Sequence, residues 1–260
     1  MSVAADDCIF YARRERYKSD AYGSNIHILR LMRAEGTVVD AVSLGEIERS
    51  LAAGFLPEGN PEGIVFTADL IDHGTLGTVL RRGITVNAGS LYMLERVGSN
   101  APGYRVWLRI NPGFGHGHSN KTNTCGPHSK HGIWIDHVPR ALEIVRRHGL
   151  KLVGLHMHIG SGVDNDHLSR VCGAMVDTVK CLGHDIEAIS AGGGLSVPYC
   201  DGDPHINAEH YFRLWDAARK QIEQFIGYAV RIEIEPGRFL RRRLYVFAAQ
   251  ILVAAVRCHH

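Results

Sequence analysis

The sequence has 260 residues, an apolar fraction of 45% and a formal net charge of +2. A chain of this length can bury a full α/β core as one domain, and so small a positive charge gives no reason to expect a nucleic-acid partner. The longest apolar segment, 244–256, contains Gln250 and is shorter than the ~20 residues that span a bilayer, so no membrane partner is expected. The scattered cysteines and the absence of a readable signal peptide predict a cytoplasmic protein with reduced thiols.

Short β-branched runs alternate with helical patterns along the chain. The charged segment 13–23 has no period and is predicted to be an irregular insertion, and the helix after it is predicted to begin with Ser24 as its N-cap. Strands are predicted at 8–12, 38–42, 64–68, 84–88, 105–110, 152–158, 187–191 and 231–235, and the clearest helices at 24–35, 136–148, 165–183 and 208–226. Eight strand–helix units in this length predict an α/β fold, a (β/α)₈ barrel over residues 1–240. A doubly wound open sheet is the alternative.

Alternation along three strands predicts a polar barrel interior. Successive side chains of a strand point to opposite faces, so polar residues two apart share a face. The pairs that do so here are Trp107 with Arg109, His156 with His158, and Glu233 with Glu235. Polar residues near the C-terminal ends of barrel strands are where barrel enzymes carry their chemistry.

The segment Glu235-Pro236-Gly237-Arg238 follows the last strand directly. A carboxylate at a strand end can hold a proton on a ligand nitrogen, because an ion pair and a hydrogen bond favour the protonated nitrogen. Gly237 lets the backbone approach a phosphate, and Arg238 can neutralise an anion. The alternative is a salt bridge between Glu235 and Arg238 at the rim of the barrel.

Two further strand ends carry ligand-binding patterns. Gly192-Gly193-Gly194 can expose consecutive N–H groups to an anion, although a tight turn explains the same glycines. In His156-Met157-His158-Ile159-Gly160-Ser161, an imidazole can stack on a planar ring and Ser161 can bond a phosphate oxygen. The alternatives are two core histidines, or a metal pair in a metal-dependent barrel hydrolase.

The segment 112–132 is a long loop rich in glycine, histidine and asparagine, and loops of this length are usually functional or disordered. A lid over the site is one interpretation. A structural metal is the other, although no zinc-finger spacing occurs. Its candidate ligands are His116, His118, Cys125, His128 and His131.

These motifs, in this order, resemble the pyridoxal phosphate-binding barrel of the group IV decarboxylases, the family that acts on ornithine, diaminopimelate and arginine. The resemblance runs from about Ser24 to Leu240. It is carried by the three strand-end motifs above and by Ser24-Asn25-Ile26-His27-Ile28-Leu29-Arg30-Leu31, Val42-Ser43-Leu44-Gly45-Glu46-Ile47, Ile64-Val65-Phe66-Thr67-Ala68-Asp69, Arg109-Ile110-Asn111-Pro112-Gly113 and Ser129-Lys130-His131-Gly132-Ile133.

The resemblance implies pyridoxal 5'-phosphate as cofactor, with His158 stacked on its ring and Glu235 paired with its nitrogen. Asp40 and Arg109 then lie near the ring, and Arg238 contacts the phosphate or a substrate carboxylate. The phosphate would be held by Ser161, Gly193, Gly194 and Gly237, and Pro236 would also belong to the cofactor site. The implied reaction is the decarboxylation of meso-diaminopimelate to lysine and CO₂, a step of lysine biosynthesis, in a homodimer.

Two departures from the family pattern affect these expectations. The family's Schiff-base lysine lies in a Tyr-Ala-x-Lys strand end, whereas this chain has Tyr11-Ala12-Arg13-Arg14, and arginine cannot take that role. Lys18 is the replacement candidate. Residues 241–260 are expected to be the stub of a C-terminal β-domain that supplies further catalytic groups. A chain that binds the cofactor without catalysis, as a carrier, is therefore the alternative.

Overall fold

The computed structural model describes residues 25–57, 63–68, 71–115, 124–158, 160, 165–183, 185–195 and 207–235, and the backbone of 15–20. The strands are β1 Glu15–Asp20, β2 Val38–Ala41, β3 Ile64–Phe66, β4 Thr85–Ala88, β5 Arg105–Asn111, β6 Ile133–Trp134, β7 Lys151–His156, β8 Ala188–Ser190 and β9 Arg231–Ile234. The helices are α1 Ile26–Ala34, α2 Leu44–Ala52, α3 His73–Arg81, α4 Leu91–Asn100, α5 Val138–Arg147, α6 Asn165–Leu182 and α7 Ala208–Ile226. None of these described helices is both long enough and apolar enough to cross a membrane.

Eight of the strands close into a parallel barrel. The ring runs β1-β2-β3-β4-β5-β7-β8-β9, and β9 pairs again with β1. The pairing of β4 with β5 completes the ring, which excludes the open doubly wound sheet. The short strand β6 pairs only with the C-terminal end of β5 in the described chain. The predicted (β/α)₈ barrel is therefore confirmed.

The first barrel strand lies where the sequence predicts an irregular insertion. Residues 15–20 form β1, which pairs with β2 on one edge and with β9 on the other. The prediction of an irregular segment is therefore wrong for residues 15–20. Pairing on both edges satisfies the hydrogen-bonding groups of the backbone, and this pairing does not require apolar residues at alternate positions. The ring is complete without the predicted strand at 8–12, which lies outside the described residues.

Side-chain caps fix the starts of the helices near the barrel mouth. Helix α1 is capped by Asn25, whose Oδ1 accepts from the His27 N–H at 2.9 Å, so the prediction that Ser24 is the cap is wrong by one residue. Ser24 itself lies outside the described residues. Similar caps begin other helices, at Ser43, Asp72, Ser90 and Asn207. Because each helix follows the C-terminal end of a strand, the caps hold the turns that surround the mouth.

The barrel interior is filled below the mouth by an apolar cluster of Trp107, Val153 and Ala188. The indole of Trp107 is fully buried and lies over Gly154, where an added Cβ would come within 2.6 Å of the indole and would also meet the Ala188 carbonyl. At the N-terminal end of the barrel, Arg105 forms a bidentate ion pair with Glu187 at 3.1 and 3.0 Å. The lower barrel is therefore a packed core and not a channel.

Gly154→Ala is expected to lower the free energy of unfolding by about 1–3 kcal/mol, because the added methyl group overpacks the contact with Trp107. Denaturant unfolding of both variants measures this. The control is Gly173→Ala in helix α6, where a Cβ meets nothing within 4 Å and a gain of up to ~1 kcal/mol is expected. Equal effects of the two substitutions would contradict the packing argument.

Candidate functional site

A row of polar residues crosses the barrel interior just above Trp107. In the strand register Arg109 pairs with His156, His156 with Ser190, and Ser190 with Glu233. The intervening residues of these strands belong to the apolar core between strands and helices, so the polar residues share the inner face. Strand parity predicted this for Arg109, His156 and Glu233, and the structure agrees.

Glu235 follows β9 and is 5% exposed, with its carboxylate inside the barrel. Its Oε1 accepts from the Ser190 hydroxyl at 3.1 Å, and its Oε2 lies 3.2 Å from Nε2 of His156. When Glu235 is ionised its carboxylate only accepts hydrogen bonds, and Nε2 of His156 is then the donor in this pair. The backbone N–H of Glu235 donates to the Gly192 carbonyl at 2.9 Å. Arg238, the alternative rim partner, lies outside the described residues.

His158 presents a neutral imidazole at the mouth. Its Nδ1 accepts from the Gly193 N–H at 2.8 Å, and its ring is parallel to that of His156, with centroids 6.5 Å apart and 8° between the planes. Burial, together with the positive charge of Arg109, lowers the pKa of His158 from 6.5 to about 3. The hydrogen bond from Gly193 acts in the same direction, because a protonated Nδ1 cannot accept it. The remaining proton of the neutral ring therefore lies on Nε2.

The glycine turn after β8 is built close against the site. Gly192 and Gly194 have φ values of +63° and +98°, which favour glycine, and a Cβ on Gly193 would collide with the Glu235 carbonyl. The Gly192 N–H donates to the Ser190 hydroxyl at 3.2 Å, and that of Gly193 donates to His158. The prediction of three consecutive N–H groups open to an anion is therefore wrong for these two. Phosphate binding by Gly194 stays a prediction.

The register of β1 places Lys18 beside the polar residues of the mouth. Lys18 pairs with Val38, and Tyr17 pairs with Ile234, so the next step of the ladder places the backbone of Lys18 beside that of Glu235. Asp40 is 4% exposed on β2, and Asp20 pairs with it. Arg14, by contrast, precedes the first residue of β1. The interpretation that Arg14 occupies the strand-end lysine position is therefore wrong, because the strand lies farther along the chain.

The described part of the loop after β5 is held against His158. The hydroxyl of Thr124 and the thiol of Cys125 both donate to the His158 carbonyl, at 2.9 and 3.1 Å. Burial raises the pKa of the Cys125 thiol to about 12, so it remains a donor at neutral pH. Asn111 accepts from the Gly126 N–H at 2.9 Å and donates to its carbonyl at 3.1 Å. A lid over the mouth remains a prediction.

Sequence reasoning missed three of these residues, Ser190, Asn111 and Thr124. Ser190 and Thr124 are small polar residues outside the motifs of the sequence analysis, whereas Asn111 lies within Arg109-Ile110-Asn111-Pro112-Gly113, a motif that by itself assigns it no role. Four predicted cofactor ligands lie outside the described residues, and their roles stay predictions. They are Ser161, Pro236, Gly237 and Arg238.

The metal interpretations gain no support from the described geometry. His156 uses Nε2 on Glu235 and His158 uses Nδ1 on Gly193, so each ring already has one nitrogen bonded within the protein. Across the described ranges, no three His, Cys, Asp or Glu side chains are grouped to hold a metal ion. His116 and His118 of the loop lie outside these ranges.

A closed parallel barrel with its polar residues at the C-terminal strand ends is the architecture of barrel enzymes. Residues 14–242 match the family model described as the pyridoxal-binding domain of pyridoxal-dependent decarboxylases. The chain belongs to this family. The match begins at residue 14 and therefore includes β1, which agrees with its place in the ring.

Several relatives match most of this chain. The diaminopimelate decarboxylases of Streptomyces coelicolor and Escherichia coli K12 are 63% and 60% identical over 228 residues, which is 88% of this chain. A crystal structure of diaminopimelate decarboxylase, 60% identical, superposes with a TM-score of 0.83 over 88% of this chain and 54% of the other. A Helicobacter pylori enzyme complexed with L-lysine, 25% identical, gives 0.70 over 88% and 58%. This chain thus spans about half the length of the curated relatives it matches, 52% and 54% for the first two.

We expect His158 to remain neutral between about pH 7 and pH 4, with its proton on Nε2, as ¹⁵N NMR of the ring will show. Its pKa of about 3 lies below the unfolded value of 6.5. As the pH falls, the unfolded chain binds the proton first. The stability from His158 is therefore complete above about pH 6.5 and is lost as the pH falls toward about 3.

The variant His158→Gln should accordingly show a shallower decline of the unfolding free energy between about pH 6 and pH 4 than the wild type. The matched control is His137→Gln, at an exposed position, which should keep the wild-type slope. The same slope in His158→Gln as in the wild type would contradict the neutral assignment.

Proposed function

We propose that this chain binds pyridoxal 5'-phosphate at the barrel mouth and serves the decarboxylation of meso-diaminopimelate to lysine and CO₂. The family match supports the cofactor, and the names of the relatives support the substrate. The observation that carries the proposal is the buried carboxylate of Glu235, which lies beside the register position of Lys18 and next to the glycine turn after β8.

The described donor set fits this cofactor. Pyridoxal phosphate has a basic ring nitrogen, a flat ring and an anionic phosphate. The mouth offers a carboxylate, a neutral imidazole at His158, and a glycine turn in which a side chain at Gly193 would collide with the backbone of Glu235. Glu235 would hold the ring nitrogen, His158 would lie against the ring, and Gly194 with the strand-end residues beyond the described part would hold the phosphate.

Lys18 is the residue that would bind the cofactor covalently. On the eight barrel strands, lysine occurs only at Lys18 and Lys151. Lys151 is the first residue of β7 and lies at the N-terminal end of the barrel, away from the mouth. Lys18 lies in the second half of β1, at the step of the ladder that adjoins Glu235. The strand register thus supports Lys18 over every other lysine of the ring.

When bound, pyridoxal phosphate supplies a ring that accepts the electron pair left as CO₂ departs. The side chains of this chain control the protonation and placement of that ring. Glu235 would keep the proton on the ring nitrogen, since a carboxylate favours a cation beside it. Neutral His158 would lie against the ring without adding a second positive charge near that nitrogen, and the buried indole of Trp107 would exclude water from the barrel below it.

Three finer expectations remain predictions. They are a homodimer, a cytoplasmic location and roles for Asp40 and Arg109 near the ring. A carrier that binds the cofactor without turnover is separated from the decarboxylase by the assay below, because it would bind pyridoxal phosphate and release no CO₂ from diaminopimelate.

Lys18→Arg should abolish covalent trapping of pyridoxal phosphate by borohydride, because arginine keeps its positive charge and cannot react with the aldehyde. Mass spectrometry of the peptides from the reduced protein locates the adduct. The matched control, Lys151→Arg, should be trapped as the wild type is, and Arg14→Lys should gain no adduct at position 14. An adduct at another lysine in the wild type would overturn the assignment, and CO₂ release from diaminopimelate tests the reaction.

A further inference from the structure

Glu235 receives hydrogen bonds from two neighbouring strands. His156 ends β7 and contacts Oε2 at 3.2 Å, while Ser190 ends β8 and donates to Oε1 at 3.1 Å. All three residues are at least nine-tenths buried, so the hydrogen bonds are shielded from water. The strand register fixes the arrangement, because His156 pairs with Ser190 and Ser190 pairs with Glu233, two residues before Glu235.

Two hydrogen-bond donors beside a buried carboxyl group favour its ionised form. Burial alone favours the protonated acid, whereas hydrogen bonds to the ionised form favour the carboxylate. An ionised carboxylate has about four lone-pair sites, which is more than the two that His156 and Ser190 use. The two donors also hold each oxygen in place, which fixes the direction that the remaining lone pairs face.

His156, which ends β7, and His158, which follows the strand, thus have different partners. His158 accepts a backbone N–H through Nδ1, whereas His156 donates through Nε2 to the acid. Their rings are parallel but their centroids are 6.5 Å apart, so they are held as separate layers. His158 is half-buried, whereas His156, two residues earlier in the chain, is 1% exposed.

We propose that His156 and Ser190 are positioning residues that keep Glu235 ionised and directed at the ring nitrogen of the cofactor. Neither residue contacts the reacting atoms, and both act through the carboxylate. The inference rests on the proposed function for the identity of the ligand. The part that concerns the charge of Glu235 stands on the protein alone and is tested without the cofactor.

The first measurement is a ¹³C NMR titration of the Glu235 side-chain carboxyl in the full chain without cofactor. His156→Phe keeps a ring of similar shape and removes the donor, Ser190→Ala removes the second donor, and His156→Gln retains an N–H donor. His156→Phe and Ser190→Ala should each raise the ratio of protonated to ionised Glu235 at a given pH about tenfold or more, since a hydrogen bond to a charged group is lost. His156→Gln should keep this ratio close to the wild-type value. The control His137→Phe changes an exposed histidine and should change nothing.

The second measurement follows the ring nitrogen of ¹⁵N-labelled pyridoxal phosphate bound to the same variants. The nitrogen should be protonated in the wild type and in His156→Gln, and it should lose its proton at lower pH in His156→Phe and Ser190→Ala. An unchanged carboxyl titration in both donor-free variants would overturn the inference. If His156→Phe does not fold, Ser190→Ala decides alone. A wild-type chain that binds no pyridoxal phosphate would overturn the proposed function, while the carboxyl titration would still decide the role of the two donors.

Discussion

The buried carboxylate of Glu235 is the interaction on which the arrangement of the mouth depends. A charged oxygen pair inside a barrel is stable only when donors replace the lost water, and here they come from the ends of β7 and β8. The backbone of the same residue also donates to Gly192. Three adjacent strands must therefore keep their register for one side chain to be satisfied, which couples the local chemistry to the closure of the barrel.

The glycine turn after β8 and His158 connect Glu235 to the loop after β5. Gly193 lies against the Glu235 carbonyl and donates its N–H to His158, and the carbonyl of His158 in turn accepts from Thr124 and Cys125. The loop after β5 is thus connected to the last strand through a single imidazole and its backbone. A change at any of these positions is expected to alter the others, because each contact shares a residue with the next.

The barrel and its inner face were predictable because alternation in strands is a strong signal. Helix 208–226 has the same bounds in the prediction and in the structure, and Trp107, Arg109 and Glu235 all lie on the predicted face. The signal fails in β1, whose residues Glu15-Arg16-Tyr17-Lys18-Ser19-Asp20 show no apolar alternation, since pairing on both edges decides their conformation. It also fails for Ser190, a small hydroxyl in a short buried strand, whose importance arises only from its distance to Glu235. Likewise, the sequence cannot show which glycine N–H groups a neighbouring side chain already uses.

The apolar cluster around Trp107, beneath the polar row, determines from which side a ligand can reach the polar residues. Trp107 seals the centre of the barrel over Gly154, and the Arg105–Glu187 pair stands at the opposite end. Within the described residues, this packing closes the barrel axis below the polar row. A ligand of the polar residues would therefore approach from the side of the C-terminal strand ends, where Thr124 and Cys125 contact the backbone of His158.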